Sequence, residues 1–355
     1  RIRTGDHLQP RARVAVAPPV RHIHFRGKQI VLHNRMPDRH EVCSYSLYPG
    51  HSANKGIYSV LLDSGEQEGW VTAHASSARI ITPYENEMVM MHEGASGGGK
   101  GWLLRDVRRW AAGRGLLGGD LVSGEERYRS MSDTCTIAPV TDDMAMCPPS
   151  IQKSGGKLSL VDGEDGWFVR VDGITSYGCD PMYERIAIHS KEPLMFFNLE
   201  AVPRATCLPW EHVLDSDGKP CPNPRIIVPR RMIENIVTQP VDVDVPPFGV
   251  RIPPAKAKKP TYGIMGLMHI IPPALAWLWR LVAPRGFKNP SVSGGSPLAS
   301  EGVGSYWPFA TGKRVVQANL LPEQIIRCTA THYVLIPNQH LRSLQVGFAA
   351  ACRTT

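Results

Sequence analysis

No two of the eight cysteines (Cys43, Cys135, Cys147, Cys179, Cys207, Cys221, Cys328 and Cys352) are spaced as CxxC, which argues against a zinc knuckle or a thioredoxin-like site. The chain is not short and opens on no signal peptide, so a disulfide framework is not expected, and reduced thiols in the cytoplasm are. An uninterrupted apolar run long enough for a membrane span is also missing. The most apolar stretch, 264–282 (IMGLMHIIPPALAWLWRLV), carries His269, Pro272, Pro273 and Arg280. A bilayer core would accept the arginine alone only at a cost of about 3 kcal/mol. This stretch reads as a buried or groove-lining helix broken at the proline pair, and no membrane partner is expected. There is no internal repeat. Glycine (33) and proline (31) exceed their usual share but stay short of low complexity. What remains is a loop-rich globular chain of 355 residues, enough for one large domain or two ordinary ones.

The net charge of +8 suggests a polyanionic partner, but its distribution does not. Residues 1–40 hold nine Lys/Arg and two acids, leaving the other 315 residues at +1. A basic nucleic-acid-binding protein is therefore the weakest of the functional alternatives, and no nucleic-acid partner is expected. Residues 1–40 also show no clear period of 2 or 3.6 and carry Pro18-Pro19. They read as a basic, poorly organised leader, the stump of a longer N-terminal domain.

From Cys43 onward the pattern sharpens. The run 57–62 (IYSVLL) predicts a strand closed by the turn Asp63-Ser64-Gly65. Shorter strands are predicted at 70–74, 88–92, 137–140, 158–161, 167–171 and 194–199, with a helix at 102–110. The segment 246–260 (PPFGVRIPPAKAKKP) reads as a linker or excursion. A helical block follows at 264–283, then a Gly/Ser/Pro loop and a helix–strand end around 322–336. Short strands with few long helices indicate a mixed α/β protein built of α+β sheets rather than a doubly wound one.

Gly94-Ala95-Ser96-Gly97-Gly98-Gly99-Lys100 fits GxxxxGK just after the apolar run EMVMM, from which His92-Glu93 separate it. Glycines let successive backbone N–H groups converge on phosphate oxygens, and the lysine adds a charge at the β/γ-phosphates. The pattern then calls for a Ser or Thr hydroxyl on Mg²⁺, where this chain has Gly101. Thr141-Asp142-Asp143-Met144-Ala145 puts two carboxylates at a strand end, where they can hold a divalent cation that bridges phosphates. In isolation such a pair is more often a turn or helix cap. His74 and Lys55 gain weight only as members of the same set.

In order, these segments resemble the phosphoenolpyruvate carboxykinase superfamily. Asn54-Lys55-Gly56-Ile57-Tyr58-Ser59-Val60 resembles a segment whose lysine is a metal ligand, and Thr72-Ala73-His74-Ala75-Ser76-Ser77-Ala78 one whose histidine is. The 94–100 loop is similar to the family's phosphate loop and 141–145 to its paired-aspartate metal motif. More weakly, 163–170 is similar to a later strand pair and Ala310-Thr311-Gly312-Lys313-Arg314-Val315 to a GTGKRM-like segment. Phrases such as PVTDDMA, GWFVRVDGI and EGVGSYWPFATG resemble an uncharacterised bacterial branch known only as a domain of unknown function.

The resemblance implies a nucleotide-binding fold with a phosphate loop, spread over 41–245 as the phosphate-loop and metal-site subdomain, 246–262 as linker, and 263–355 completing the same unit. It implies ATP or GTP, Mg²⁺ and/or Mn²⁺, and a small anionic substrate. Gly94 to Gly99, Lys100 and Gly101 would cradle the phosphates. Asp142 or Asp143 would hold Mg²⁺, Lys55 and His74 would ligate a second, softer ion, and Arg314, Glu164 and Arg170 would neutralise charge. The activity would be that of a carboxykinase-like lyase or a small-molecule kinase. Two departures, Gly101 and the lack of an RxPKDK-like substrate motif, point to a fragment or degenerate copy and to a second alternative, a nucleotide-binding protein impaired in catalysis.

Overall fold

The segment Val71–Ile81 (VTAHASSARII) mixes small and β-branched residues and forms the longest strand among the described residues. The computed structural model describes residues 10–16, 30–45, 51–94, 114–120, 123, 125–130, 136–171, 174–202, 206–214, 218–221, 224–251, 266–267, 319–320, 323–324, 326–332, 334–338, 340–341 and 344–346. In chain order, the first elements are β1 (Ala12–Val16), β2 (Ile30–Arg35), β3 (His40–Tyr45), α1 (His51–Glu68), β4 (Val71–Ile81), β5 (Glu87–Gly94), β6 (Arg114–Asp120) and β7 (Glu126–Ser130). Next come β8 (Thr136–Thr141), β9 (Met144–Cys147), β10 (Leu158–Asp162), β11 (Gly166–Arg170), α2 (Pro181–Ile188), β12 (Met195–Phe197), β13 (Leu199–Val202) and β14 (Thr206–His212). The last are β15 (Arg225–Pro229), β16 (Val241–Val243), β17 (Pro247–Arg251), β18 (Gly266–Leu267), β19 (Val334–Asn338), β20 (His340–Leu341) and β21 (Leu344–Val346).

These elements make a mixed α+β protein, mostly sheet. The main sheet has nine strands in the order β16-β10-β9-β4-β5-β17-β19-β18, with β8 also paired to β4. Strand β4 lies inside this sheet and is buried on both faces. Ala73 and Ala75 on one face pack with Met91, Val140, Ala145, Leu160 and Val243. On the other face Met144 meets Tyr58 and Leu62 of α1, and Thr72 Oγ1 donates to Leu61 O at 3.2 Å. A second core gathers Trp167, Ile174, Tyr183, Ile226 and Val228 around α2. Arg230 ties the two regions: its Nε donates to Asp162 Oδ2 at 2.9 Å, and Nη2 bonds the carbonyls of Val140 and Val237.

Several elements depart from the sequence expectation. The 57–62 run is helical within α1. Ile57, Tyr58, Leu61, Leu62 and Gly65 recur at helical spacing, so one stripe faces β4. The helix ends at Gly69 (φ 75), where Trp70 N–H bonds Gly65 O at 2.8 Å in a Schellman-type cap. Asp63-Ser64-Gly65 is thus helix rather than turn. Within the expected leader, β1 and β2 pair with β3 in a three-stranded sheet, and Arg11 Nη1 reaches Glu68 Oε1 at 2.6 Å. Their alternation is obscured because Val14 and Leu32 stay exposed. Pro247–Arg251, expected to begin a linker, is a strand paired with β5 and β19. The run at 194–199 breaks into β12 and β13 at Asn198, which adopts φ 60.

Strands β5, β8, β10 and β11 lie where expected. The predicted helix at 102–110 lies outside the described residues, as does most of the 264–283 block. Cys43, Cys147, Cys207, Cys221 and Cys328 are free thiols. Cys179 is disulfide-bonded, which corrects the expectation that all the thiols are reduced. Sequence spacing carries no sign of a pairing that the fold brings about. Among the described residues, no helix is long and apolar enough to cross a membrane.

Candidate functional site

Along β4 the residues alternate in character as well as in face. Ala73 and Ala75 enter the apolar core, while Thr72, His74 and Ser76 are buried polar groups on the alternate positions. Burying polar side chains costs free energy unless each finds a partner. Here partners come from both neighbouring elements. Tyr58 of α1, itself fully buried, lies against the His74 ring with centroids 5.3 Å apart and planes tilted by 38°. His74 Nε2 stands 2.6 Å from Asp143 Oδ1.

Strands β8 and β9 both run antiparallel to β4, and the chain bends between them at Asp142-Asp143. His74 pairs with Met144, and Ala75 N–H donates to Asp143 O at 3.1 Å. In an unbroken pleat, Asp143 and His74 would face opposite sides of the sheet. The bend turns the Asp143 carboxylate to the face of His74. Thr141 fixes the approach from β8: its Oγ1 bonds Ala75 O and Ser77 Oγ, each at 3.0 Å in the buried interior. Asp142 is partly exposed at the bend.

On the other side of β4, Ala75 pairs with Glu93 of β5. That ladder ends there; the following residue, Gly94, is the last of β5 and pairs with Gly249 of β17. The entry to the glycine-rich loop, His74 and the Asp142-Asp143 bend thus occupy three adjacent strands at one level.

The remaining expected residues are less fully described. Lys55 belongs to α1, one helical turn before Tyr58, and its backbone alone is described. Residues 95–101 of the expected loop, Lys100 and Gly101 among them, lie outside the described residues, and so does Arg314. Glu164 is buried, and its N–H donates to Asp162 Oδ1 at 3.1 Å. Arg170 ends β11. Among the described residues, no group of three or more His, Cys, Asp and Glu side chains converges as a ready metal cage. Sequence reasoning did not single out Tyr58, whose helical spacing to Leu61 and Leu62 was the available signal. It also missed Asp162, whose carboxyl burial pushes up to about 6 even though Trp167, the Glu164 N–H and Arg230 all donate to it.

Fold and site together define a mixed α+β protein in which a buried histidine of the central strand meets a partly exposed aspartate from the neighbouring bend. The family model described as Domain of unknown function (DUF4914) matches residues 2–354, and the chain belongs to that family. This is the domain of unknown function that the sequence phrases resembled; the match itself says nothing of the wider carboxykinase resemblance. No curated protein matches the chain.

Proposed function

We propose that this protein binds a nucleoside triphosphate, ATP or GTP, in a carboxykinase-like manner, with a divalent cation beside His74 and Asp143, for phosphoryl transfer to a small anionic acceptor. One observation supports this reading most: the loop entry at Gly94, His74 and Asp143 stand level on three neighbouring strands. Motifs far apart in the chain are gathered as phosphate and cation binding would require.

In this reading the backbone amides of residues 94–99 and the Lys100 ammonium hold the phosphates. Asp142 and Asp143 offer oxygen, and His74 and Lys55 offer nitrogen, a mixed set that suits Mn²⁺ by donor type. The His74–Asp143 separation of 2.6 Å is that of a hydrogen-bonded pair. Two ligands sharing one ion with bonds near 2.1 Å stand about 3 Å apart, so the pair separates slightly to admit a cation. The cation would screen phosphate charge; the protein's own part is to position the groups and keep water away.

Gly101 favours a second reading of the same fold, nucleotide binding without turnover, because the hydroxyl that would complete Mg²⁺ coordination is absent. Isothermal titration with ATP and GTP, each with Mg²⁺ and with Mn²⁺, tests the first reading. The native chain is expected to bind, and Lys100→Ala and Asp143→Asn to bind at least about tenfold more weakly. Unchanged affinity in Lys100→Ala sinks both readings. Turnover that appears only in Gly101→Ser supports the second.

A further inference from the structure

Helix α1 has a second polar contact, on the side away from β4. His33 of β2 and His40 of β3 approach each other with Nδ1 and Nε2 at 3.2 Å and ring centroids at 5.4 Å. Ser59 Oγ of α1 lies 3.2 Å from the same His33 Nδ1. Asp63 Oδ2, one turn further along the helix, stands 3.7 Å from His40 Nδ1 and accepts from Gln67 at 3.2 Å. His40, Ser59 and Asp63 are buried and His33 is partly so. Two ring nitrogens this close also suit a cation. However, Asp63 lies against the other nitrogen of His40, no group of three His, Cys, Asp or Glu converges as a cation site among the described residues, and Arg35, paired with His40 in the β2–β3 register, adds a positive charge.

We propose that the His33–His40 pair is an acid-sensitive clasp that holds the three-stranded N-terminal sheet to α1 while both rings are neutral and releases it when they are protonated. The geometry carries this. One N–H fits between the two nitrogens, and two do not; a second proton sets two cations 3.2 Å apart. The surroundings favour the neutral pair. Asp63 faces His40 from α1 and Arg35 faces it from β2, while on β1 the register partner of His40 is the uncharged Ala12. Burial, then Arg35 and His40, hold the His33 ring down to about 4, and burial lowers His40 although Asp63 pulls the other way. The sign follows from linkage. The opened sheet takes up protons near the ordinary value of 6.5 and the closed sheet does not. Closure is therefore complete above about pH 6.5 and weakens as pH falls toward 4, by up to about tenfold per ring and pH unit. The clasp stands whether or not the His74 site binds a nucleotide.

Hydrogen exchange on the full chain, read as protection factors at pH 7, 6 and 5, tests it. Protection in β2 and β3 is expected to fall at least about tenfold while β4 and β5 hold theirs. His33→Gln, which bonds but does not titrate, is expected to flatten that fall by up to about tenfold per pH unit. Equal slopes in the native chain and the variant overturn the proposal. A histidine NMR titration of the native chain is an independent check: either ring titrating at or above its ordinary value also overturns it.

Discussion

Tyr58 and His74 lie ring against ring, 5.3 Å between centroids, and both are completely buried. A helix and the central strand therefore meet through a polar aromatic contact rather than through aliphatic packing alone. Tyr58→Ala is expected to cost about 3–5 kcal/mol, since it leaves a ring-sized cavity beside Leu62 and Met144. Tyr58→Phe keeps the ring and is expected to cost less than about 1.5 kcal/mol. Urea midpoints of the two variants check this; equal losses would show that the hydroxyl, not the ring, carries the contact.

Asp142 and Asp143 look interchangeable in sequence, and the structure separates them. Both are partly exposed at the bend, but Asp143 is the one that faces the fully buried His74. Asp143→Asn is expected to cost about 1–3 kcal/mol by weakening a charge-assisted contact to a buried ring. Asp142→Asn is expected to cost less than about 1 kcal/mol. The ranking is read from thermal unfolding without ligand. The reverse order would mean that the 2.6 Å contact contributes little to the fold.

How much was legible beforehand depended on which interactions shaped each element. Strands β5, β8 and β10 announce themselves because their apolar runs are short and bounded by turn residues. Helix α1 does not, because Ile57 and Val60 favour strands and Asp63-Ser64-Gly65 has turn chemistry; packing against β4 overrides both. At the site, His74 and the aspartate pair stand out as motifs. Their meeting depends on the bend at Asp142-Asp143; the aspartates have turn chemistry, but nothing in the sequence says which face Asp143 takes. The His33–His40 contact depends on β2 and β3 pairing, and the pattern there is blurred by the exposed Leu32.

Asp162 gives a stability prediction with a definite sign. Burial raises its carboxyl to about 6 from an ordinary 3.8, so the folded chain holds that proton more tightly than the unfolded one. The group's contribution is therefore full below about pH 4 and is lost as pH rises through about 6. Asp162→Asn cannot lose it. The stability of the variant relative to the native chain is expected to shift in the variant's favour by up to about 3 kcal/mol between pH 4 and 7. Arg230→Met, by contrast, removes the guanidinium that bonds Asp162 and two carbonyls, and is expected to destabilise at neutral pH by about 3–5 kcal/mol. Denaturant midpoints across that pH range check both.

Gly65 within α1 and Gly163 packed against it should respond differently to alanine because their neighbours differ in stiffness. A Cβ on Gly65 would sit 2.5 Å from the carbonyl oxygen of Trp70, the residue whose N–H bonds Gly65 O to cap the helix. A Cβ on Gly163 would meet the Leu61 Cδ1 at 2.9 Å and the Met146 Sδ at 3.0 Å, both ends of flexible side chains. Gly65→Ala must move backbone at the α1–β4 junction, and a loss of about 2–3 kcal/mol is expected. At Gly163 the neighbours can rotate away, and the loss is expected to stay below about 1.5 kcal/mol. Since His74 depends on that junction through Tyr58, Gly65→Ala is also expected to perturb the His74 ring resonances, while Gly163→Ala leaves them in place. Urea unfolding and histidine NMR on the two variants measure these separately, and a larger effect at Gly163 would show that the junction yields more readily than its close packing implies.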